Sequence, residues 1–510
     1  MNDFPMDRRT RNIVIGLGLG SLTIGTDFTG VMLLTVALEQ DLGADITTTH
    51  WVFNVYALSF GMGLVAGGRL ADIYGRRRLL RIGLVLYLVA SLLCALAPSI
   101  GWLLAARVVQ GLGSAIVWPA ILGIVSTSVE EDQRGFAIGL MFGAIGTGNA
   151  IGPILAGTLA GLGDWRLFFG GNVLLAAMTL AASILLVPAD KDRRPDEHVD
   201  YLGMAVLSLA VFALLYALDV GADWGWLSLG IIALLAGAIA LFAVFPFLEA
   251  RVRDPLVPPA MLRNRHFMVA VALNALVIPA AFVPWIYFPQ YLQKVLGWSI
   301  TAASLSVVPS MVCIAIGGPI AGRLYGPVGP RVLLFAGYGM VGISLALFLL
   351  IAGDSNAGYM AFLPAIMLTG IGSVFGVSAA GTLAVAAVEP ERASLASGVA
   401  FMVHLALGAL GVAGATAVVF AVSTARFQSA LERIGVTLSA ADQAALAGFA
   451  RGSPEARQIL DRISPENAAQ ISTELERAFT AGFDGAMWLS MGFIVVGLVL
   501  TLFIGKPKTG

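Results

Sequence analysis

The sequence predicts an all-α integral membrane protein with fourteen transmembrane helices. Three observations predict it: apolar stretches of spanning length recur along the chain, cations collect in alternate loops, and a loop signature returns in the second half. Hydrophobic residues fill 58% of the 510 positions and charged residues only 12%, about half the charged fraction of a soluble domain. Sixty glycines without a collagen period suit helices that approach backbone to backbone in lipid. A formal charge of −1 provides no field for nucleic acid, and none is expected as a partner. Cys94 and Cys313 lie in apolar segments and read as small hydrophobes, while His50, His198, His266 and His404 show no ligand spacing. No metal site and no cofactor is expected.

A spanning helix takes about 20 mostly apolar residues. In the first half the candidates lie near 13–38, 50–70, 79–98, 101–127, 135–161 and 166–188. Two more lie near 201–220 and 227–248. The last six lie near 267–292, 300–323, 331–352, 358–386, 394–422 and 483–505. The first stretch is too long for the apolar core of a signal peptide and holds Asp27, so it reads as a retained span.

Loop charges test this count independently. With the N-terminus cytoplasmic, the inner segments hold 21 of the 30 cations, from Arg8, Arg9 and Arg11 to Lys506 and Lys508. The short outer loops hold only Arg166 and Lys294. This is the positive-inside asymmetry; it places both termini in the cytoplasm and requires an even number of spans. A long outer loop, about 423–482, carries SPEARQILDRI and SPENAAQISTELERAF, each with a Ser-Pro helix start. It reads first as a folded cap or spacer, and second as a substrate funnel or a site for an envelope partner.

An internal repeat organises the chain. Gly68-Arg69-Leu70 and Gly75, Arg77, Leu79 and Leu80 return 254 positions later as Gly322-Arg323-Leu324 and Gly329, Arg331, Leu333 and Leu334. Gly111-Leu112-Gly113-Ser114 is echoed by Gly370-Ile371-Gly372-Ser373. The expected division is a six-helix bundle over 1–190, two extra helices with linkers over 191–265, and a second six-helix bundle over 266–510 that carries the outer loop. Parallel halves of this kind set a substrate site at their interface near the bilayer midplane. The second copy has Gly326 and Ile366 where the first has Asp72 and Arg107, so proton chemistry is expected in the first half.

Four motifs carry a family resemblance. Gly68 through Arg77 matches a G-x-L-a-D-r-x-G-r-r loop with Ile73 as its one clear departure, and Arg107-Val108-Val109-Gln110-Gly111-Leu112-Gly113 matches R-x-x-q-G-x-g. Gly139, Gly148, Gly152, Pro153 and Gly157 follow G-x8-G-x3-G-P-x2-G-G, with Ala156 in place of one glycine. Trp165-Arg166 with Phe169, Asn172 and Val173 follows W-R-x-x-F-x-x-N-V. On these motifs the chain resembles the fourteen-helix drug:proton antiporters of the major facilitator superfamily, the multidrug efflux type, over essentially its whole length. The resemblance implies the major facilitator fold, two six-helix bundles plus two extra helices, and a multi-pass transporter of the cell membrane (the inner one where the host has two). It further implies export of antibiotics or similar compounds, driven by the proton gradient through alternating access.

The residues support this reading in their own terms. Asp27 lies mid-span, where an ionised carboxylate costs roughly 2.5–3.5 kcal/mol, so it must face a cavity or a partner. It reads as the proton-coupling group, reached by water; the alternative is a carboxylate bonded to Thr23 or Thr29. Arg107 stays charged within the fourth span; the resemblance implies that it modulates Asp27 or a nearby proton carrier, and the alternative is a hub for backbone carbonyls. Gly68, Asp72, Gly75, Arg76 and Arg77 are the expected gate. There Asp72 forms ion pairs or caps a neighbouring helix, contacts that break when the halves rock. Gly139, Gly143, Gly148, Gly152 and Gly157 are expected on one tightly packed helix face, bent at Pro153.

A substrate cavity is expected from Asn54, Trp118, Trp285, Tyr287, Phe288, Gln290 and His404, apolar walls with a few polar groups. Trp51 and Tyr291, near span ends, read as interfacial belt, and Pro279, Pro284 and Pro289 make the ninth span irregular. His404 reads as a satisfied core histidine before a proton relay. From Phe267 to Phe420 the only acids are Asp354, Glu389 and Glu391, all in loops, which points to neutral, monocationic or lipid-like substrates. The rival readings are an exporter of lipids or of one metabolite on the same fold, and a membrane-embedded enzyme or sensor. Against the last, the sequence shows no nucleophile–base pair and no appended catalytic domain.

Overall fold

A computed structural model of the chain describes residues 6–189, 197–354, 357–434 and 465–504. Among these residues there are sixteen α-helices and no strand. The first half holds α1 (Arg8–Gly30), α2 (Thr35–Leu42), α3 (Ile46–Tyr74), α4 (Arg76–Ala95), α5 (Ile100–Ser128), α6 (Glu131–Gly161) and α7 (Arg166–Leu185). The extra pair is α8 (Tyr201–Trp224) and α9 (Leu229–Glu249), followed by the short α10 (Pro259–Arg263). The second half holds α11 (Arg265–Lys294), α12 (Ile300–Leu305), α13 (Val308–Ile351), α14 (Tyr359–Ala386), α15 (Ala393–Ile434) and α16 (Pro465–Thr501).

Thirteen described stretches are long and apolar enough to cross a membrane. The longest, Ala302–Ile351, is two spans: Gly329 breaks α13 with φ 78° and ψ 160°. Fourteen spanning segments result. The same break ends α3, where Gly75 has φ 102°, and 75 and 329 are separated by the repeat offset of 254. Only glycine enters this region freely, so the repeated loop is repeated as backbone geometry too. Packing repeats with it. A Cβ on Gly113 would stand 3.1 Å from the Gly83 carbonyl, and one on Gly372 would stand 2.7 Å from that of Gly337.

Two expectations change. The first span is not one helix over 13–38: α1 tightens into a 3-10 turn at Val31–Leu34, and α2 runs on to Leu42, where Gly43 (φ 61°) ends it. The motif glycines of α6 do not share one face. At about 100° per residue, Gly139, Gly143 and Gly146 point one way and Gly148 and Gly152 the opposite way. The first set meets α13 at Gly318, Pro319 and Ile314, and the second meets α1 at Leu22, Thr26 and Gly30. Gly157 has no heavy atom within 4 Å of its would-be Cβ, so it packs against nothing. The helix expected at SPENAAQISTELERAF in the outer loop is present, and the loop both begins and ends as helix. α15 and α16 run into it and pack together, with Gly482 against Val419 and Arg433 3.7 Å from Glu474. Buried Ile471, Leu475 and Phe479 recur at four-residue spacing on α16, an apolar stripe that extends the helix pair. SPEARQILDRI lies outside the described residues.

The halves meet along two seams, α6 against α13 and α3 against α15. α8 covers the second seam. Its Ser208 hydroxyl donates to the Met62 carbonyl of α3 at 2.9 Å, and its apolar side chains pack with those of α3 and α15. At the other end of the first bundle, Asp41 accepts from Arg166 (2.7 Å) and from the Trp165 indole (3.1 Å). These bonds, that from Arg166 foremost, hold its carboxyl below the ordinary carboxylate range.

Gly139→Val drives α6 away from α13 and destabilises the protein by about 1–3 kcal/mol, read as a lower thermal unfolding midpoint in detergent. Gly157→Val leaves that midpoint unchanged. Equal midpoints for the two variants would refute the packing assignment.

Candidate functional site

Asp27 and Arg107 face each other inside the first bundle, both without exposed surface. Arg107 Nη1 lies 2.6 Å from Asp27 Oδ2, and α3 and α7 bring the set to four helices. Asn172 of α7 donates to Asp27 Oδ1 at 2.7 Å. Arg107 Nη1 and Nε donate to Gln110 Oε1 (2.7 Å) and to the Val52 carbonyl of α3 (2.9 Å). The guanidinium lies 4.2 Å over the Tyr56 ring. Arg107 is thus both the partner of Asp27 and a backbone hub. Thr23 and Thr29 are not partners of Asp27: Thr23 donates to the Leu19 carbonyl, and Thr29 to the Asn149 carbonyl at 3.0 Å. That carbonyl is free because Pro153, four residues on, has no N–H to give it. The wetted carboxyl expected from the sequence is not what this conformation shows; Asp27 is satisfied by a partner and sealed.

The expected gate forms a second cluster, at the arginine-rich end. Asp72 accepts the backbone N–H groups of Leu395 (2.8 Å) and Ser394 (3.3 Å) at the start of α15, and it pairs with Arg76 at 2.9 Å. Both roles anticipated for Asp72 coincide, a helix cap and an ion pair. Arg76 Nε also donates to Ser394 Oγ (3.0 Å), and its Nη1 to Thr127 Oγ1 of α5 (3.1 Å). Its Nη2 reaches the Pro390 carbonyl at 2.5 Å. Gly68 lets α3 come this close, because a Cβ there would stand 3.1 Å from Leu395 Cα. Gly75 supplies the left-handed turn that carries Arg76. Arg77 is not part of this cluster: it donates to the Ile184 carbonyl at 3.2 Å and braces α4 to α7 within the first half. The second half, with Gly326 and Pro330 at the repeat positions, has no such chemistry there.

Between the halves lies a cavity of about 110 Å³. Phe28, Phe142 and Asn149 of the first half line it, with Phe282, Trp285, Phe401 and His404 of the second. Of the expected cavity residues, Trp285 and His404 line it. Trp118 stands one layer behind, packed on Phe142 and Phe401 with centroids 5.5 and 5.1 Å away. Tyr287, Phe288 and Gln290 point elsewhere, for a helical reason: Ile278, Phe282 and Trp285 form an i, i+4, i+7 stripe toward the cavity. Tyr287 bonds Thr416 at 2.6 Å, Phe288 sits among Phe348 and Phe362, and Gln290 accepts from Lys294. Asn54 donates to Asp219 of α8 at 2.7 Å, since α8 lies over that face of α3. Sequence reasoning missed Phe28 and Asn149. Both carried a signal, Phe28 beside Asp27, and Asn149 a lone carboxamide between Gly148 and Ala150 in mid-span.

Removing one member of the buried pair strands the other. Arg107→Met destabilises the protein by about 3–5 kcal/mol, and the double variant Asp27→Leu/Arg107→Met regains much of that loss. Thermal unfolding in detergent compares Asp27→Leu, Arg107→Met and the double variant; a double variant as unstable as the sum of the two single ones would contradict the pairing.

Residues 17–412 match the family model described as Major Facilitator Superfamily. A multidrug resistance protein Stp of Mycobacterium tuberculosis is 31% identical over 77% of this chain and 73% of its own length. The puromycin resistance protein pur8 of Streptomyces alboniger is 32% identical over 80% and 81%. The tetracenomycin C resistance and export protein of Streptomyces glaucescens is 27% identical over 97% and 91%. Among solved structures, the human organic anion transporter MFSD10 superposes with a TM-score of 0.65 at 13% identity, covering 97% of this chain and 100% of that one. The proton:xylose symporter XylE superposes at 0.57 and 14% identity, covering 97% and 95%. Motif loops, an inter-half cavity and a family match over most of the length agree: this chain is a multi-pass membrane transporter and belongs to the major facilitator superfamily.

Proposed function

We propose that the chain is a proton-coupled exporter of lipophilic neutral or monocationic compounds, closed in this conformation toward the cytoplasm. The observation that carries the reading is the position of the buried Asp27–Arg107 pair directly behind the cavity wall, where Phe28 follows Asp27 on α1. In a water-excluded site an ion pair holds only while both members are charged. A proton on Asp27 removes the attraction and leaves Arg107 to Gln110, the Val52 carbonyl and the Tyr56 ring, which already hold it. α1 is then free to shift. Because Thr29 is bonded to α6 beside Asn149, that shift is felt in the cavity wall. Proton binding and cavity shape are linked through one helix.

The cluster at Asp72 supplies the gate. It joins the α3–α4 turn to the start of α15 through charge-assisted bonds, each worth about 1.5–3 kcal/mol, so opening that end requires breaking them together. Export as the direction rests on the relatives named for resistance and export and on the fifth-span motif.

Purified protein in liposomes with an imposed pH gradient tests the coupling. Asp27→Asn, which keeps a hydrogen-bonding side chain opposite Arg107, abolishes gradient-driven flux of a lipophilic dye in protein whose thermal midpoint shows it folded; flux equal to that of the parent protein removes Asp27 from the mechanism. Asp72→Asn lowers turnover by about tenfold and changes dye affinity little. A loss confined to affinity would refute the gating role. Drugs and lipids run side by side in the same vesicles separate this reading from export of lipid or of one metabolite.

A further inference from the structure

The cavity holds a histidine whose proton is placed by its neighbour. His404 Nδ1 lies 2.9 Å from Asn274 Oδ1. The orientation of Asn274 follows from its other bond, in which Nδ2 donates to the Val377 carbonyl at 3.2 Å. A flipped carboxamide would set two oxygens against each other there. Asn274 Oδ1 is therefore an acceptor, and His404 Nδ1 carries the hydrogen. In the neutral ring Nε2 then presents a lone pair. No carboxylate stands among the described lining residues to pair an imidazolium, and Nε2 has no hydrogen-bond partner among the described residues. The ring stacks on Phe401 with centroids 4.8 Å apart and planes 14° apart, which fixes its direction.

The other polar groups of the wall lean the same way. The Trp285 indole N–H is committed to Ser310 at 2.9 Å, and the Ser373 hydroxyl to the Gly370 carbonyl at 2.9 Å. Asn149 Oδ1 is buried without a partner and does not face a guest. Among the described lining residues the cavity thus offers acceptors at His404 and Ser373, with the Asn149 amide as an uncommitted donor. An apolar site with surplus acceptors favours a guest that brings donors, since a guest without them leaves the lone pairs unsatisfied.

We infer that this cavity selects uncharged aromatic or alicyclic compounds bearing a hydroxyl or N–H donor, which hydrogen-bonds His404 Nε2, with Asn274 as the residue that holds the imidazole in the accepting tautomer. The inference rests on the export reading for the use of the cavity and narrows its substrates. It adds a polar criterion to lipophilicity.

Two probes of the same ring system test it: 2-naphthol, and 2-methoxynaphthalene, which lacks the O–H. Binding to purified protein in nanodiscs is measured against free probe concentration, and flux of both is followed in the liposome assay. The parent protein binds 2-naphthol about threefold to tenfold more tightly. His404→Leu brings the ratio near one, and His404→Gln, which restores an acceptor, retains a preference. Asn274→Leu keeps the imidazole but frees its tautomer, and the preference falls as well, a change that a purely structural histidine would not produce. Equal binding of the two probes by the parent protein, with both exported, overturns the inference and leaves the export reading intact. A preference that survives both His404→Leu and Asn274→Leu also overturns it. No binding and no flux of either probe or of the dye overturns both readings together.

Discussion

A carboxylate and a guanidinium, 2.6 Å apart and sealed from solvent, set the terms for the first half of this protein. In hydrocarbon neither charge survives alone, so each neighbouring helix contributes a polar group. α3 gives the Val52 carbonyl and the Tyr56 ring, α5 gives Gln110, and α7 gives Asn172. Gln110 in turn donates to Ser91 of α4 at 2.9 Å. One ionic contact thereby determines how five helices are oriented about their own axes. The second half meets the same packing problem without charge. Ile366 replaces the arginine, and Thr369, at the same offset from Gln110, shares a 2.6 Å hydroxyl bond with Ser344. Neutral bonds of that kind are weaker and carry no proton chemistry.

The two loops of the repeat show how shape and chemistry separate. Gly75 and Gly329 both enter the left-handed region, and each loop turns the chain from one span into the next. Only the first carries an acid and a base that reach across to the other half. The α3–α15 seam is therefore held by ionic and capping contacts. The α6–α13 seam is held by glycines that let backbones touch, with Arg323 lying 5.0 Å over the Phe136 ring. One seam responds to charge, the other to bulk.

Much of this was legible in the amino-acid order. Spans announce themselves because a bilayer demands apolar length, and Asp27, Asp72 and Arg107 stand out because charge there needs a reason. What the order does not reveal is the facing of helices that are apolar all round. The ninth span has a mean hydropathy of 2.2, so its sequence pattern hardly distinguishes Trp285, toward the cavity, from Phe288, toward an aromatic cluster. Asn54 misled for a different reason, since its partner Asp219 comes from the extra helices, whose docking position no local pattern encodes. The glycines of α6 were recognised as packing residues, yet their division between α1 and α13 emerges only when both partners are in place. The helix start at Ser464-Pro465 in the outer loop was legible from its Ser-Pro signal, and α16 begins there.

α8 has a consequence for traffic in the plane of the membrane. It lies over the groove where α3 and α15 come together, tied to α3 by Ser208 and by the Asn54–Asp219 bond. A greasy molecule dissolved among the acyl chains meets α8 on that flank, in front of the α3–α15 groove. The first added helix thus stands between the surrounding lipid and the seam that the Asp72–Arg76 cluster ties together.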